Sequence, residues 1–253
     1  MFKKAIVRTP SRSMVKGITS ANLGIPDYAK AKAQHQAYIH ALEKCELEVT
    51  VLEPLEEFPD SVFIEDTALL TPECAIITNP GATTRRGEAR VMRAVLSAFY
   101  KNIEIVKDPG TVDAGDILNV NTHYYIGISE RTNQNGAYQM IGYLEKYGMT
   151  ASTIQIRNVL HLKSALSYLK NNILLVSEEL LNESQFQKYN IIIVKEEESY
   201  AANCLWINGF VLVPVSFPKI TKKIKDIGYQ VIELDVSEFR KLDGGLSCLS
   251  LRF

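Results

Sequence analysis

The stretch AGDILNVNTHYYIGIS, residues 114–129, reads as two short strands joined at Asn121-Thr122. Apolar residues run or alternate on either side of that polar pair, which is the pattern of a β-hairpin. A helix-like segment, TNQNGAYQMIGYLEKYG (132–148), comes next. The same order recurs in EDTALLTPECAIIT (65–78), LKSALSYLKNNILLVS (162–177) and YAANCLWINGFVLVPV (200–215), with turns at Pro72-Glu73, Asn171-Asn172 and Asn208-Gly209. The units start roughly 40 to 50 residues apart, a period that suits a propeller or solenoid. A fifth unit, DGGLSCLSLRF (243–253), lacks its second half, and FKKAIVR (2–8) is a strand without a hairpin partner. Joining the two predicts a pseudo-symmetric ring of five α/β modules, one domain over 1–253, with the C-terminal segment held rigid. The competing reading is an ordinary α/β sheet in which hairpins recur.

Composition supports a folded mixed α/β chain. Its 253 residues, 46% hydrophobic and 23% charged, can bury a sizeable core near the upper size limit of one domain. PDYAKAKAQHQAYIHALEKC (26–45) reads as a helix and EVTVLEPL (48–55) as a strand. A net charge of -1 provides no drive toward nucleic acid or an anionic membrane, which leaves a small-molecule or protein partner. The apolar run near the start is too short for a signal peptide and no later run approaches a membrane span, so a cytoplasmic location is expected. Four cysteines (Cys45, Cys74, Cys204 and Cys248) are far apart and form no CxxC pair, which argues against a zinc knuckle and for free thiols.

The unit starts carry polar residues that apolar patterning does not explain: Glu65-Asp66, Asp113 with Asp116, His161 with Lys163, Asn203, and Asp243. In a ring these positions converge on the axis, so acids, a histidine and a cysteine would share one pocket. Cys248 sits in GGLSCLS (244–250), where small neighbours leave the sulfur accessible and glycines admit a close ligand. Packing in the closing strand is the plainer reading of that cysteine. His161, in NVLHLKSAL (158–166), has apolar neighbours at a strand start, whereas His35, His40 and His123 read as solvated or locally bonded. Cys248 and His161 together form a Cys/His arrangement, with Asp113 available to orient the imidazole or bind substrate.

Carboxylates amid apolar neighbours are costly unless paired, so Asp60, Glu65, Asp66 and Asp113 ask for a cation, and a planar guanidinium fits. Asp116 reads as a turn acid bonded to backbone. Arg85 and Arg131, in loops after hairpins, are candidates to clamp a substrate carboxylate. An acidic pocket ringed by arginines suggests a zwitterion with a cationic side chain, as in arginine derivatives.

With RTPSRS (8–13), FPDSVFIEDTA (58–68), ITNPGATTRRGE (77–88), GTVDAGDIL (110–118), YIGISERTN (125–133), VLHLKSALSYL (159–169), EESYAANCLWIN (197–208) and LDGGLSCLSLRF (242–253) in this order, the chain closely resembles the dimethylarginine dimethylaminohydrolases of the amidinotransferase/deiminase superfamily. The resemblance implies a five-bladed α/β propeller of ββαβ modules around a central active site. It implies Cys248 as nucleophile, His161 as general acid/base and Asp113 as the supporting acid, although some relatives carry Glu there. Glu65 and Asp66 match residues around the guanidine. Asp60, with backbone near Ile18 and Leu242, matches the amino-group site, and Arg85 and Arg131 match the carboxylate clamp. The implied reaction hydrolyses Nω-methylated arginines to citrulline and dimethylamine or methylamine through an S-alkylthiouronium, with no metal or organic cofactor.

Two alternatives differ in kind. A related arginine or agmatine deiminase would use the same thiol, but arginine deiminases carry an extra helical insertion and agmatine has no carboxylate for the arginines. A non-catalytic ribosome-binding factor shares the ring and would have no reactive cysteine. Neither nucleic acid nor membrane is expected as a partner, and a homodimer stays open.

Overall fold

The computed structural model describes residues 1–253. In chain order the elements are β1 (Lys4–Arg8), α1 (Tyr28–Lys44), β2 (Glu48–Leu52), β3 (Ala68–Leu70), β4 (Ala75–Ile77), α2 (Arg86–Leu96), β5 (Ile103–Ile105), β6 (Ile117–Val120), β7 (His123–Ile128), α3 (Gln134–Lys146) and β8 (Thr150–Gln155). There follow β9 (Leu166–Tyr168), β10 (Ile173–Ser177), β11 (Asn190–Val194), β12 (Leu205–Ile207), β13 (Phe210–Pro214), α4 (Pro218–Asp226), β14 (Gln230–Leu234), α5 (Ser237–Arg240) and β15 (Leu251–Arg252).

The strands form five separate three-stranded sheets, each with the middle strand antiparallel to one neighbour and parallel to the other. A parallel pair cannot be joined by a tight turn, so a crossover must follow each hairpin. Helices α2, α3 and α4 provide it in three modules, and α1 provides it between β1 and β2. The β10–β11 crossover differs: two 3-10 turns, Glu178–Leu180 and Ser184–Phe186, take the place of the helix. Only Leu180 and Phe186 of those turns are buried, too narrow an apolar stripe to hold a helix against the sheet.

Ring closure follows the expected pairing. β15 lies antiparallel to β1, with Ile6 opposite Leu251, and β1 lies parallel to β2. Residues from both ends of the chain therefore complete one module. The cores form between neighbouring sheets and their helices, as in the cluster of Tyr38, Leu42, Phe63, Phe239 and Leu246.

Each hairpin is entered through a 3-10 turn: Ile64–Thr67, Ala114–Asp116, Leu162–Ser164, Glu196–Ala202 and Ser247–Leu249. Successive turns touch one another around the centre. Between the last two, Asn203 completes the circle, its Oδ1 accepting from the Ser247 N–H (2.9 Å) and its Nδ2 donating to Ser247 Oγ (2.9 Å). The polar residues at the unit starts thus form an inner lining, as the repeat pattern required.

Three histidine expectations need correction. His35 is buried against Phe239 instead of solvated, because α1 turns that face toward α5. His123 opens β7, where its ring nitrogens meet Thr150 and Ser152 of β8, so it is bonded across the sheet instead of locally. His161 precedes a 3-10 turn and does not start a strand.

Candidate active site

A cavity of about 360 Å³ opens at one end of the ring axis. Cys248, His161, Asp113, Asp66, Asp60, Arg85, Arg131, Ile18 and Leu242 all line it, so nine of the ten residues read from the sequence meet at one place.

His161 is buried between two acids of one 3-10 turn. Asp113 caps the turn and Asp116 ends it, a spacing of three that puts both on one side. Asp116 Oδ1 lies 3.3 Å from His161 Nδ1, a close charge contact and not an aligned hydrogen bond. On the other edge of the ring, Nε2 lies 3.9 Å from Asp113 Oδ2 and 4.0 Å from Asp66 Oδ1. Burial alone would favour the neutral imidazole, but Asp116, Asp66 and Asp113 outweigh it and raise its pKa to about 9. At neutral pH His161 is an imidazolium.

The acids are held by named donors. Asp66 Oδ1 accepts from the Gly115 N–H (2.9 Å) and Oδ2 from Arg85 Nη1 (2.7 Å). Burial opposes its charge, but His161 and Arg85 hold the carboxyl below its ordinary range. Asp113 Oδ1 accepts from the Gly81 N–H (2.8 Å), whereas its Oδ2 is buried with no hydrogen-bond partner. Burial and the neighbouring Asp66 raise the Asp113 pKa. Asp60 Oδ1 accepts from the Ile18 N–H (2.9 Å), and burial raises its pKa against the pull of Arg85. Asp66, Asp113 and His161 offer donor atoms within 4.8 Å of one another, an arrangement able to receive a cation, metallic or organic.

Cys248 lies on the last inner turn, half-buried, with its Sγ 3.4 Å from the Gly245 N–H. Burial, then Glu65 and Asp66, push its pKa up to about 12, so the resting sulfur is a thiol. The flanking glycines serve close packing within the chain: a Cβ at Gly244 would fall 2.1 Å from Phe63, and one at Gly245 would fall 2.6 Å from Asn203 Oδ1. The other cysteines are buried and carry raised pKa values.

Two placements differ from the sequence reading. Glu65 does not line the cavity; it turns to the far side, where its carboxylate meets Lys163 (2.7 Å), Arg252 (3.0 Å) and Ser247 Oγ (2.8 Å). With three residues per turn in the Ile64–Thr67 3-10 turn, adjacent acids project about a third of a revolution apart and so face different sides. Arg85 lines the cavity but is buried, not loop-exposed, and most of its donors are engaged: Nη1 by Asp66, Nε and Nη2 by Glu88, and Nη2 also by the Phe63 carbonyl.

Asp116 does end a turn and bond backbone, but its surroundings give it more than that part. It is fully buried, accepts from Ser129 Oγ (2.7 Å), Thr132 Oγ1 (2.6 Å) and the Leu162 N–H (3.0 Å), and faces His161. The i, i+3 spacing with Asp113 was the available signal. Glu130, Arg157 and Asn158 also line the cavity mouth, and nothing in their local sequence marked them.

Comparison with known proteins shows the family. The family model described as "N,N dimethylarginine dimethylhydrolase, eukaryotic" matches residues 26–249. The chain is 54% identical to the N(G),N(G)-dimethylarginine dimethylaminohydrolase of Pseudomonas aeruginosa, covering 100% of both chains. It is 33% identical to the protein of that name from Streptomyces coelicolor, over 99% of this chain and 96% of the other. The structure superposes with a TM-score of 0.99 on a cysteine-to-serine mutant of the P. aeruginosa protein complexed with citrulline, at 54% identity and full coverage of both. Similarity that runs through every module and both chain ends leaves no segment unaccounted for, and the chain belongs to the dimethylarginine dimethylaminohydrolase family.

Proposed function

We propose that this chain hydrolyses Nω-methylated arginines, asymmetric dimethylarginine and monomethylarginine, to citrulline with release of dimethylamine or methylamine. The observation that carries the reading is the meeting of the Cys248 thiol, the charged His161 and the acids Asp66 and Asp113 on one small cavity. The full-length relative of that name and the citrulline complex of its mutant support it.

The chemistry follows from the charges. A guanidinium entering beside Asp66 and Asp113 brings a positive charge next to a thiol held neutral by burial and carboxylates. That charge favours the thiolate, so the substrate itself drives ionisation of Cys248, whose proton leaves to solvent because His161 already carries one. The unpartnered Asp113 Oδ2 is an acceptor awaiting a donor, and a substrate N–H or the His161 ring meets that need. The thiolate attacks the guanidinium carbon, and the charged His161 donates its proton to the departing amine nitrogen as the C–N bond breaks. Neutral His161 then takes a proton from water, whose oxygen bonds the same carbon. The C–S bond breaks, the electron pair returns to sulfur, and the remaining hydroxyl proton passes to that sulfur, which leaves the neutral urea of citrulline and the resting thiol. Asp60 and backbone at Ile18 and Leu242 receive the substrate amino group, and Arg131 with the remaining Arg85 donor receives its carboxylate. Glu65 acts from behind Cys248.

We infer further that the ring works as a single catalytic domain in a reducing cytoplasm, where four free thiols persist. No helix is long and apolar enough to cross a membrane. The test is citrulline release from asymmetric dimethylarginine, monomethylarginine and arginine, with Cys248→Ser alongside. Turnover of the methylated substrates with a folded, inactive mutant is expected. Citrulline formation by Cys248→Ser would remove Cys248 from the nucleophile role.

A further inference from the structure

A second cavity, larger than the one described above, also lies in the ring. About 830 Å³ in volume, it opens at the opposite end of the ring axis and is of a size that takes a drug-sized organic molecule. The Glu65 cluster separates the two. From the closed end of the larger cavity, Glu65 Oε1 is shared by Lys163 Nζ (2.7 Å) and Arg252 Nη2 (3.0 Å). Two cations thus face one carboxylate, and Arg252 spends its other nitrogen on the neutral Ser247 and Ser250 oxygens. A positive charge is left over on two partly buried side chains.

The walls carry the same sign. Lys3, Lys4, Lys101, Lys163, Lys170 and Arg252 line the cavity with the Met1 terminus, against Glu65, Glu73 and the terminal carboxylate of Phe253, and Lys4 is paired with Glu48 (2.9 Å), so the lining keeps a surplus of positive charge. Aromatic rings stand between them. Lys170 Nζ lies 5.5 Å from the Trp206 ring centroid and 5.9 Å from that of Tyr168, and Lys4 Nζ lies 5.7 Å from that of Phe99. Rings beside ammonium groups suit a ligand that has a flat apolar body and a negative end. A cationic ligand would be repelled by the lining, and a neutral one would leave the surplus charge uncompensated.

We infer that this cavity is a second binding site, for a small organic anion with an aromatic body, such as an aromatic carboxylate or sulfonate. Its occupant touches Trp206 and Lys170 and directs its anionic group toward Arg252 and Lys163. The residues changed in its test, Lys170 and Lys101, line only this cavity and take no part in the proposed reaction, so either reading can fail without the other.

Trp206 is the single tryptophan of the chain, so a ligand here reports itself by fluorescence. The experiment titrates anilinonaphthalene sulfonate into the folded protein and follows quenching of Trp206 with energy transfer to the dye. One saturable site is expected, displaced by phenylbutyrate, unaffected by phenylbutylamine or citrulline, and weakened about tenfold by reversing one lining charge in Lys170→Glu. Lys101→Glu repeats the reading on a separate element, with thermal unfolding of both variants checked against the parent. Absence of saturable quenching, binding by both folded variants as tight as by the parent, or displacement by phenylbutylamine would overturn the site. Displacement by citrulline would also overturn it, because the dye would then occupy the catalytic cavity.

Discussion

Asp116 Oδ1 stands 3.3 Å from Nδ1 of His161 and accepts the N–H of the next residue, Leu162, at 3.0 Å, so one buried oxygen fixes both the ring and its backbone. The resting protein carries a proton on His161, whose pKa is raised to about 9, and another on Cys248, whose pKa is raised to about 12. The reacting form needs imidazolium and thiolate, one proton fewer. The kcat/KM profile is therefore expected to rise about tenfold per pH unit through neutrality and to level once His161 itself deprotonates. Asp116→Asn removes the foremost of the charges that favour imidazolium, so the levelling point moves to lower pH and kcat falls on the order of a hundredfold. A flat profile between pH 6 and 8 (about one unit either side of neutral) would contradict the assignment. Stability obeys the same sign: the folded pKa is raised, so the contribution of charged His161 is full below its ordinary value of 6.5 and is lost as the pH rises through about 9.

Glu65 is the leading charged group that opposes the Cys248 thiolate, and it is also the only carboxylate between Lys163 and Arg252. Glu65→Gln leaves those two cations unbalanced beside the sulfur. Alkylation of Cys248 by iodoacetamide at neutral pH is expected to accelerate about tenfold, as the thiolate fraction grows. The same change breaks a buried ion pair, and a stability loss of about 3 kcal/mol or more accompanies it. Unchanged alkylation in the folded variant would show that Glu65 does not govern the thiol.

How much of this was written in the sequence depends on the kind of contact. Hairpin periodicity is local, so the five modules and their closure by residues 2–8 and 243–253 were legible. Convergence of Asp66, Asp113, His161 and Cys248 followed from their recurrence at module starts. Side-chain direction was not legible: Glu65 and Asp66 are neighbours in sequence and face opposite cavities, a choice made by Lys163 and Arg252 on one side and Arg85 on the other. Asp116 looked like a turn acid because its partners, Ser129, Thr132 and Leu162, are distant in sequence. The helix missing between β10 and β11 reflects an apolar stripe too short to pack.

The two arginines of the expected carboxylate clamp have different surroundings, and their variants should separate accordingly. Arg85 is buried and balanced by Asp66 (2.7 Å) and Glu88 (2.9 Å). Burial raises the Glu88 pKa to about 7 even with Arg85 beside it, so the acid depends on that partner to stay charged. Arg85→Ala strands both acids and is expected to cost about 3–5 kcal/mol, lowering Tm on the order of 10 °C as well as weakening substrate. Arg131 is half-buried at the cavity mouth. Arg131→Ala should leave Tm within a few degrees while raising KM about tenfold for dimethylarginine and little for its decarboxylated analogue. Equal KM losses on the two substrates would count against a clamp at Arg131.

Gly115 supplies the closest test of how tightly the imidazole is seated. A Cβ built there would lie 2.8 Å from Asp66 Oδ1, 3.0 Å from His161 Cγ and 3.1 Å from its Cδ2. The same residue's N–H donates to Asp66 Oδ1, so the backbone cannot retreat without lengthening that bond of 2.9 Å. The imidazole is the group that must give, and Asp113 and Asp116 on the same turn limit where it can go. Gly115→Ala is expected to lower kcat on the order of a hundredfold, the effect of misplacing a reacting group by about 1 Å. KM should change little, because the groups at the amino and carboxylate ends of the substrate are untouched. Overpacking at this site is expected to cost about 1–3 kcal/mol of stability. Unaltered kcat in Gly115→Ala would mean that the His161 ring has room to move without loss, and that its position against the turn does not set the rate.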